Sequence, residues 1–287
     1  MRRLLAALAI AATVAWLFLP FVRAYQLVAA RHGDPHAPAD LVLEDASWTV
    51  GGRAAAGWLL RGSAGAPAIV LVHGFKTSRE EMVPWARFLH DASFNVLLFD
   101  TRGAGRSAGE VIGLGATERL DVAAAATAAK ESFGTSRVGV LGISLGAGAA
   151  ILAAADDPEI GAVVADSAWT DQDFQLSRLS FISLGPARVP LPPYGVAAVN
   201  AMVGADVARA RPGEAIARIA PRPVLLIHSA DDDNATTPVA GARALYAAAG
   251  EPKELWIAPR GGHVGAIGAF PDEYRARVLA FLGRAFG

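Results

Sequence analysis

No cysteine occurs anywhere in the chain. Disulfides, thiolate nucleophiles and cysteine-ligated metal sites are therefore excluded. No charge excess occurs either: 26 basic residues stand against 27 acidic ones, for a net charge of −1. A nucleic-acid footprint would need a basic surplus, and an interaction arm would need a run of one sign. Charge is scarce altogether, at 18% of residues against 53% hydrophobic. That is apolar for a soluble domain, and 287 residues allow one large domain or two small ones. No repeat period is evident.

Part of the apolar excess lies at the start. Arg2 and Arg3 precede an uncharged apolar run from Leu4 to Val22. A spanning helix needs about 20 such residues, with roughly 17 as the lower limit. The core of a cleaved signal is shorter, about 7–15 residues. Residues 1–24 are therefore expected to be a membrane anchor, with a cleaved signal as the alternative. Residues 25–39, containing "RHGDPHAPAD", read as a polar linker, and 40–287 as the folded domain. The leading arginines favour a cytoplasmic N-terminus with the domain across the membrane. Arg23 and Arg31 pull the other way.

"LVLEDASWTV" and "RAAAGWLL", joined by "GG", read as an antiparallel pair. Six short apolar runs come after them: "APAIVLVHGF", "FNVLLFDTRG", "RVGVLGISLG", "IGAVVADSAW", "RPVLLIHSAD" and "KELWIAPRGGH". Val, Ile and Leu in such runs suit strands buried on both faces. Helix-like stretches separate them, so the expected fold is α/β, a mostly parallel sheet of about eight strands flanked by helices. Residues from about 170 to 215 break the rhythm. They are too long for an ordinary connection and read as a cap insertion with its own helices.

"GISLG" at Gly142–Gly146 has the G-x-S-x-G spacing between a strand and a helix. That context makes a strained turn that lifts the Ser144 hydroxyl above the sheet edge. A hydroxyl needs a base to become a nucleophile. Of six histidines, His32 and His36 fall in the linker and His90 on a helix. His73 ends an early strand, and His228 reads as structural at the end of "VLLIH". His263, in the Gly-rich loop after the last strand, is the expected base. The oxyanion needs two backbone N–H donors, and Leu145 and Phe75 occupy the expected positions. An acid should precede His263, and Asp231, Asp232 and Asp233 all stand in "IHSADDDN".

Two other patterns carry little. Gly103–Ala108 fits G-x-G-x-x-A, but the next strand ends in the serine turn, not in the acid a dinucleotide fold requires. Three consecutive aspartates point in different directions and make a poor metal site. No cofactor and no metal are expected.

The order of "HGF", "DTRGAGRS", "GISLGAG", the acidic loop and "GGH" resembles the α/β-hydrolase superfamily. It is most similar to single-pass membrane-anchored bacterial serine hydrolases and Bem46/ABHD-type proteins. The resemblance spans residue 40 to the C-terminus and implies the chain order serine, acid, histidine. Its pattern H-G-x-x-D places the acid four residues after His228, at Asp232. Ser229 stands where glycine is usual, which leaves Asp231 as the alternative, while Asp233 reads as a solvated loop residue. The motif with Asp100, Arg102, Gly103, Gly105 and Ser107 is by resemblance a structural loop. The implied activity is cleavage of an ester-type bond in a small apolar substrate, at a bacterial inner membrane. A peptidase or thioesterase would use the same atoms. A tethered hydrolase fold that binds without catalysis is the reading from another class.

Overall fold

The computed structural model describes residues 1–287. All eight expected strands form one sheet. They are β1 (Glu44–Val50), β2 (Arg53–Leu60), β3 (Ala68–Val72), β4 (Asn95–Phe99), β5 (Val138–Ile143), β6 (Ile160–Asp166), β7 (Val224–Ser229) and β8 (Lys253–Ala258). Their order across the sheet is β1-β2-β4-β3-β5-β6-β7-β8. Only the β1–β2 and β2–β4 pairings are antiparallel. The edge strand β1 keeps an exposed face, whereas β3, β4 and β5 are buried at every residue. Unbroken apolar runs form the centre because both sheet faces are covered.

Side chains alternate across the pleat. Val70 and Val72 of β3 join a core on one face, with helices α3 (Glu118–Phe133), α4 (Leu145–Asp156) and α6 (Val239–Ala248). Ile69 and Leu71 join a second core, with α2 (Val83–Asp91) and α7 (Pro271–Phe286). The carboxyl ends of β3, β5, β7 and β8 converge on one edge, where open α/β sheets place their ligands.

Two expectations need revision at the segment ends. The N-terminal helix α1 runs from Arg2 to Val28, four residues past the expected boundary at 24. The stretch read as a polar linker is partly pinned. Arg31–His32 pairs with Ala104–Gly105, and the His32 ring bonds the Gly109 carbonyl at 2.9 Å. Polar side chains hid this, because the bonding is mostly through backbone. The segment between β6 and β7 holds α5 (Gly195–Val203) and short helical turns. It also holds a hairpin, Phe181–Leu184 with Ala187–Pro190.

Candidate active site

The β5–α4 turn is built around close backbone approach. A Cβ on Gly142 would lie 2.3 Å from the Gly146 carbonyl oxygen, and one on Gly146 would lie 2.4 Å from that of Val72. Glycine at both positions lets α4 start directly above β3. Ser144 between them takes φ 50° and ψ −116°, a region that non-glycine residues avoid. Such strain persists only where the surroundings enforce it. Here it holds the hydroxyl at the N-terminus of α4.

The structure brings three of the expected side chains into line. Ser144 Oγ lies 2.8 Å from His263 Nε2, and His263 Nδ1 lies 2.9 Å from Asp232 Oδ2. The carboxylate fixes the tautomer: Nδ1–H donates to Asp232, leaving Nε2 to accept from Ser144. Asp232 is the buried member of the acidic trio, with Asp231 and Asp233 exposed. Its Oδ1 accepts the Asn234 N–H at 2.9 Å. Burial alone would push this carboxyl up. The imidazoles of His228 and His263 and the Asn234 N–H outweigh that and hold it well below the usual carboxylate range. Asp231 has a different place, accepting the Gly262 N–H at 2.8 Å and bracing the loop that carries His263.

Phe75 comes after β3 in the turn beside Ser144, and Leu145 opens α4. Neither N–H donates to a backbone acceptor. Both residues line a cavity of about 40 Å³ at Ser144, with Leu114, Trp169, Gln172, Gln175, Thr236 and Thr237. The turn before Phe75 is fixed by side chains. Glu81 accepts the Gly74 N–H at 2.9 Å and the Thr77 hydroxyl at 2.5 Å. His73 accepts the Thr101 N–H at Nε2, 3.1 Å, so Nδ1–H donates to the Gly74 carbonyl at 2.8 Å. Burial lowers the His73 pKa and keeps this ring neutral.

Several contributors escaped the sequence reading. His228 is fully buried, and its Nε2 sits 3.1 Å from Asp232 Oδ2 in a poorly aligned contact. It faces the acid rather than only the sheet, as its spacing of four from Asp232 could have signalled. Thr237 Oγ1 lies 3.1 Å from His263 Nδ1. Asp166, the last residue of β6, is buried behind the site and pushed up to about 6 by that burial. It accepts from Tyr274 at 2.9 Å and from Ser167 at 3.0 Å. Ser167 Oγ accepts the N–H of Val264, the residue after His263, at 3.1 Å. The motif from Asp100 to Ser107 makes internal contacts. Asp100 accepts the N–H groups of Arg79 and Arg106, and Arg102 grips Asp121 with two bonds of 2.9 and 2.7 Å.

Residues 65–187 match the family described as serine aminopeptidase, S33. The Bacillus subtilis protein YqkD is 30% identical over 219 residues, which cover 75% of this chain and 70% of that one. The chain belongs to the α/β-hydrolase superfamily. Among other relatives of this hydrolase, YfhR of Escherichia coli K12 is 28% identical over 236 residues, 79% of this chain and 75% of that one. The Pyrococcus furiosus esterase Pf2001 is similar in structure, with a TM-score of 0.72 and 26% identity. That likeness covers 91% of this hydrolase and 100% of the esterase chain.

Proposed function

We propose that this α/β-hydrolase is a membrane-anchored serine hydrolase that cleaves an acyl ester of a small, apolar substrate. The observation that carries the reading is the unbroken line Asp232–His263–Ser144, at 2.9 and 2.8 Å. Ser144 Oγ attacks the carbonyl carbon as His263 Nε2 takes its proton. Asp232, held as the anion, stabilises the imidazolium that forms. The carbonyl oxygen becomes an oxyanion facing the Phe75 and Leu145 N–H groups, with the positive end of α4 behind them. His263 then protonates the leaving alcohol, and the acyl group stays on Ser144. A water, deprotonated by His263, releases the acid and restores the enzyme. The cycle uses no cofactor.

The peptidase reading has one observation in its favour, the description of the matching family. An aminopeptidase must also hold a substrate ammonium. No carboxylate lines the cavity at Ser144, which favours the ester reading. α1 supports the anchor: it is long and apolar enough to cross a membrane, with a mean hydropathy of 2.3 over its most apolar stretch. Arg2 and Arg3 favour an extracytoplasmic domain.

The test is hydrolysis of short and medium p-nitrophenyl esters by wild type and Ser144→Ala, beside aminoacyl p-nitroanilides. Ester turnover that vanishes in the variant and exceeds amide turnover is expected. Equal rates in wild type and variant would remove Ser144 from the mechanism.

A further inference from the structure

Gln175 lines two cavities at once. One is the pocket of about 40 Å³ at Ser144. The other is a groove of about 400 Å³ between α1 and the insertion. Leu19, Leu27 and Leu179 give the groove an apolar wall, and Arg23 and Arg178 stand at its rim. Arg23 Nη2 donates to the Arg178 carbonyl at 2.8 Å, which fixes one cation at the lip. The carboxylate-paired arginines of the insertion are Arg209 and Arg211; Arg178 has no carboxylate partner and lies over the Phe174 ring at 5.9 Å. Arg188, stacked on Phe181 at 4.7 Å, lies outside those pairs as well.

The groove lies where α1 meets the domain. Residues 2–18 are exposed, and packing begins at Leu19 and Pro20. At roughly 1.5 Å per residue the free part spans about 26 Å, close to the ~30 Å thickness of a bilayer core. Arg23 is therefore level with the head groups. Trp16, near the end of the free part, donates its indole N–H to the Pro190 carbonyl at 3.0 Å. That bond ties the hairpin of the insertion to the end of the free part, about 10 Å along α1 from Arg23, where the bilayer core gives way to the interface that indoles favour. The insertion exposes Phe174, Leu184 and Tyr194. Exposed apolar side chains interleaved with arginines that lack a carboxylate partner match an anionic membrane surface.

We propose that the groove is a portal from the bilayer. An acyl ester resident in an anionic membrane lays its chain along Leu19, Leu27 and Leu179. Its anionic head group sits against Arg23 and Arg178, and its ester reaches Ser144 past Gln175. Cleavage after entry rests on the serine hydrolase reading; the entry itself does not.

The experiment has two arms. In the first, full-length Ser144→Ala protein is placed in phosphatidylcholine vesicles containing a phosphatidylglycerol with a diazirine on its acyl chain. After irradiation, cross-links on the Gln175–Leu179 segment are expected, and Arg23→Gln with Arg178→Gln should weaken them. Cross-links confined to residues 2–18 overturn the portal. In the second arm, wild type and the double variant hydrolyse a fluorogenic phosphatidylglycerol ester in vesicles and water-soluble p-nitrophenyl acetate. The ratio of vesicle to soluble turnover should fall on the order of tenfold in the variant. An unchanged ratio also overturns the portal. If a fluorophosphonate fails to label Ser144, the hydrolase reading falls, and the cross-links still decide the portal.

Discussion

Asp232 shows how one residue is singled out from three. All three aspartates come after the same strand, but only Asp232 is withdrawn from solvent and aimed at His263. Asp232→Asn should lower turnover by about 10⁴-fold, because the wrong tautomer of the base results. Asp233→Asn should leave turnover near wild type, and steady-state kinetics on one ester separates the two outcomes. The register came from the resemblance, whose pattern puts the acid four residues after the strand-end histidine, here His228, with Asp231 as the alternative. What Asp231 does was not legible, since its partner Gly262 lies 31 residues away. Asp166 invites a pH test. Its carboxyl ionises at about 6 in the fold against an ordinary value of 3.8. Below 3.8 both folded and unfolded chains hold the proton. Between the two values the unfolded chain releases it first, so stability falls as pH rises through this window. The full cost is on the order of 3 kcal/mol. Asp166→Asn removes this dependence. Thermal unfolding of both proteins near pH 4 and near pH 8 should show the variant gaining on wild type at the higher pH. A constant difference would contradict the buried-acid account.

At the scale of elements, the site depends on turns that cannot relax. Gly146→Ala would drive a Cβ to 2.4 Å from the Val72 carbonyl oxygen, backbone against backbone. Strand β3 and helix α4 would have to separate, and a sharp loss of melting temperature is expected. The turn carrying Phe75 is subtler. Glu81 holds the Gly74 N–H, so Glu81→Ala should loosen the turn that carries the proposed Phe75 donor without emptying the core. Removal of one oxyanion donor costs about 10²–10³ in kcat. A smaller fall, confined to kcat with KM little changed, is therefore the expected kinetic signature. A change in KM alone would assign Glu81 to substrate binding. Strands and elbow could be read from the sequence because their signals are local: apolar runs, glycines at fixed offsets, a serine between strand and helix. Glu81, Thr77 and Thr237 carry no such signal. They matter through tertiary contacts, which residue type and spacing do not encode.

Across the whole molecule, α1 divides into two parts. Residues 2–18 are exposed, while Pro20, Ala24 and Val28 are buried at helical spacing. Ala24 and Val28 share a core with Leu114, Leu179 and Val199. Lys76, the residue after Phe75, donates to the Gln26 carbonyl at 2.5 Å. This packing was hidden in the sequence, because a buried stripe cannot stand out in a helix that is apolar all round. Deletion of residues 1–17 should leave the melting temperature of the domain nearly unchanged. Deletion of 1–28 should lower it markedly, since burial of Val28 alone contributes about 2 kcal/mol. Equal melting temperatures would mean that α1 is only a tether. The hairpin between Phe181 and Pro190 was not legible, because its pairing closes within a few residues that lack clear alternation. The central claim is that Ser144 is a nucleophile activated by His263 and Asp232. Labelling of the folded protein by a fluorophosphonate, followed by mass mapping, tests it most directly. The account predicts a single adduct on Ser144 that is lost in His263→Ala. No adduct on Ser144 in folded wild-type protein would contradict it.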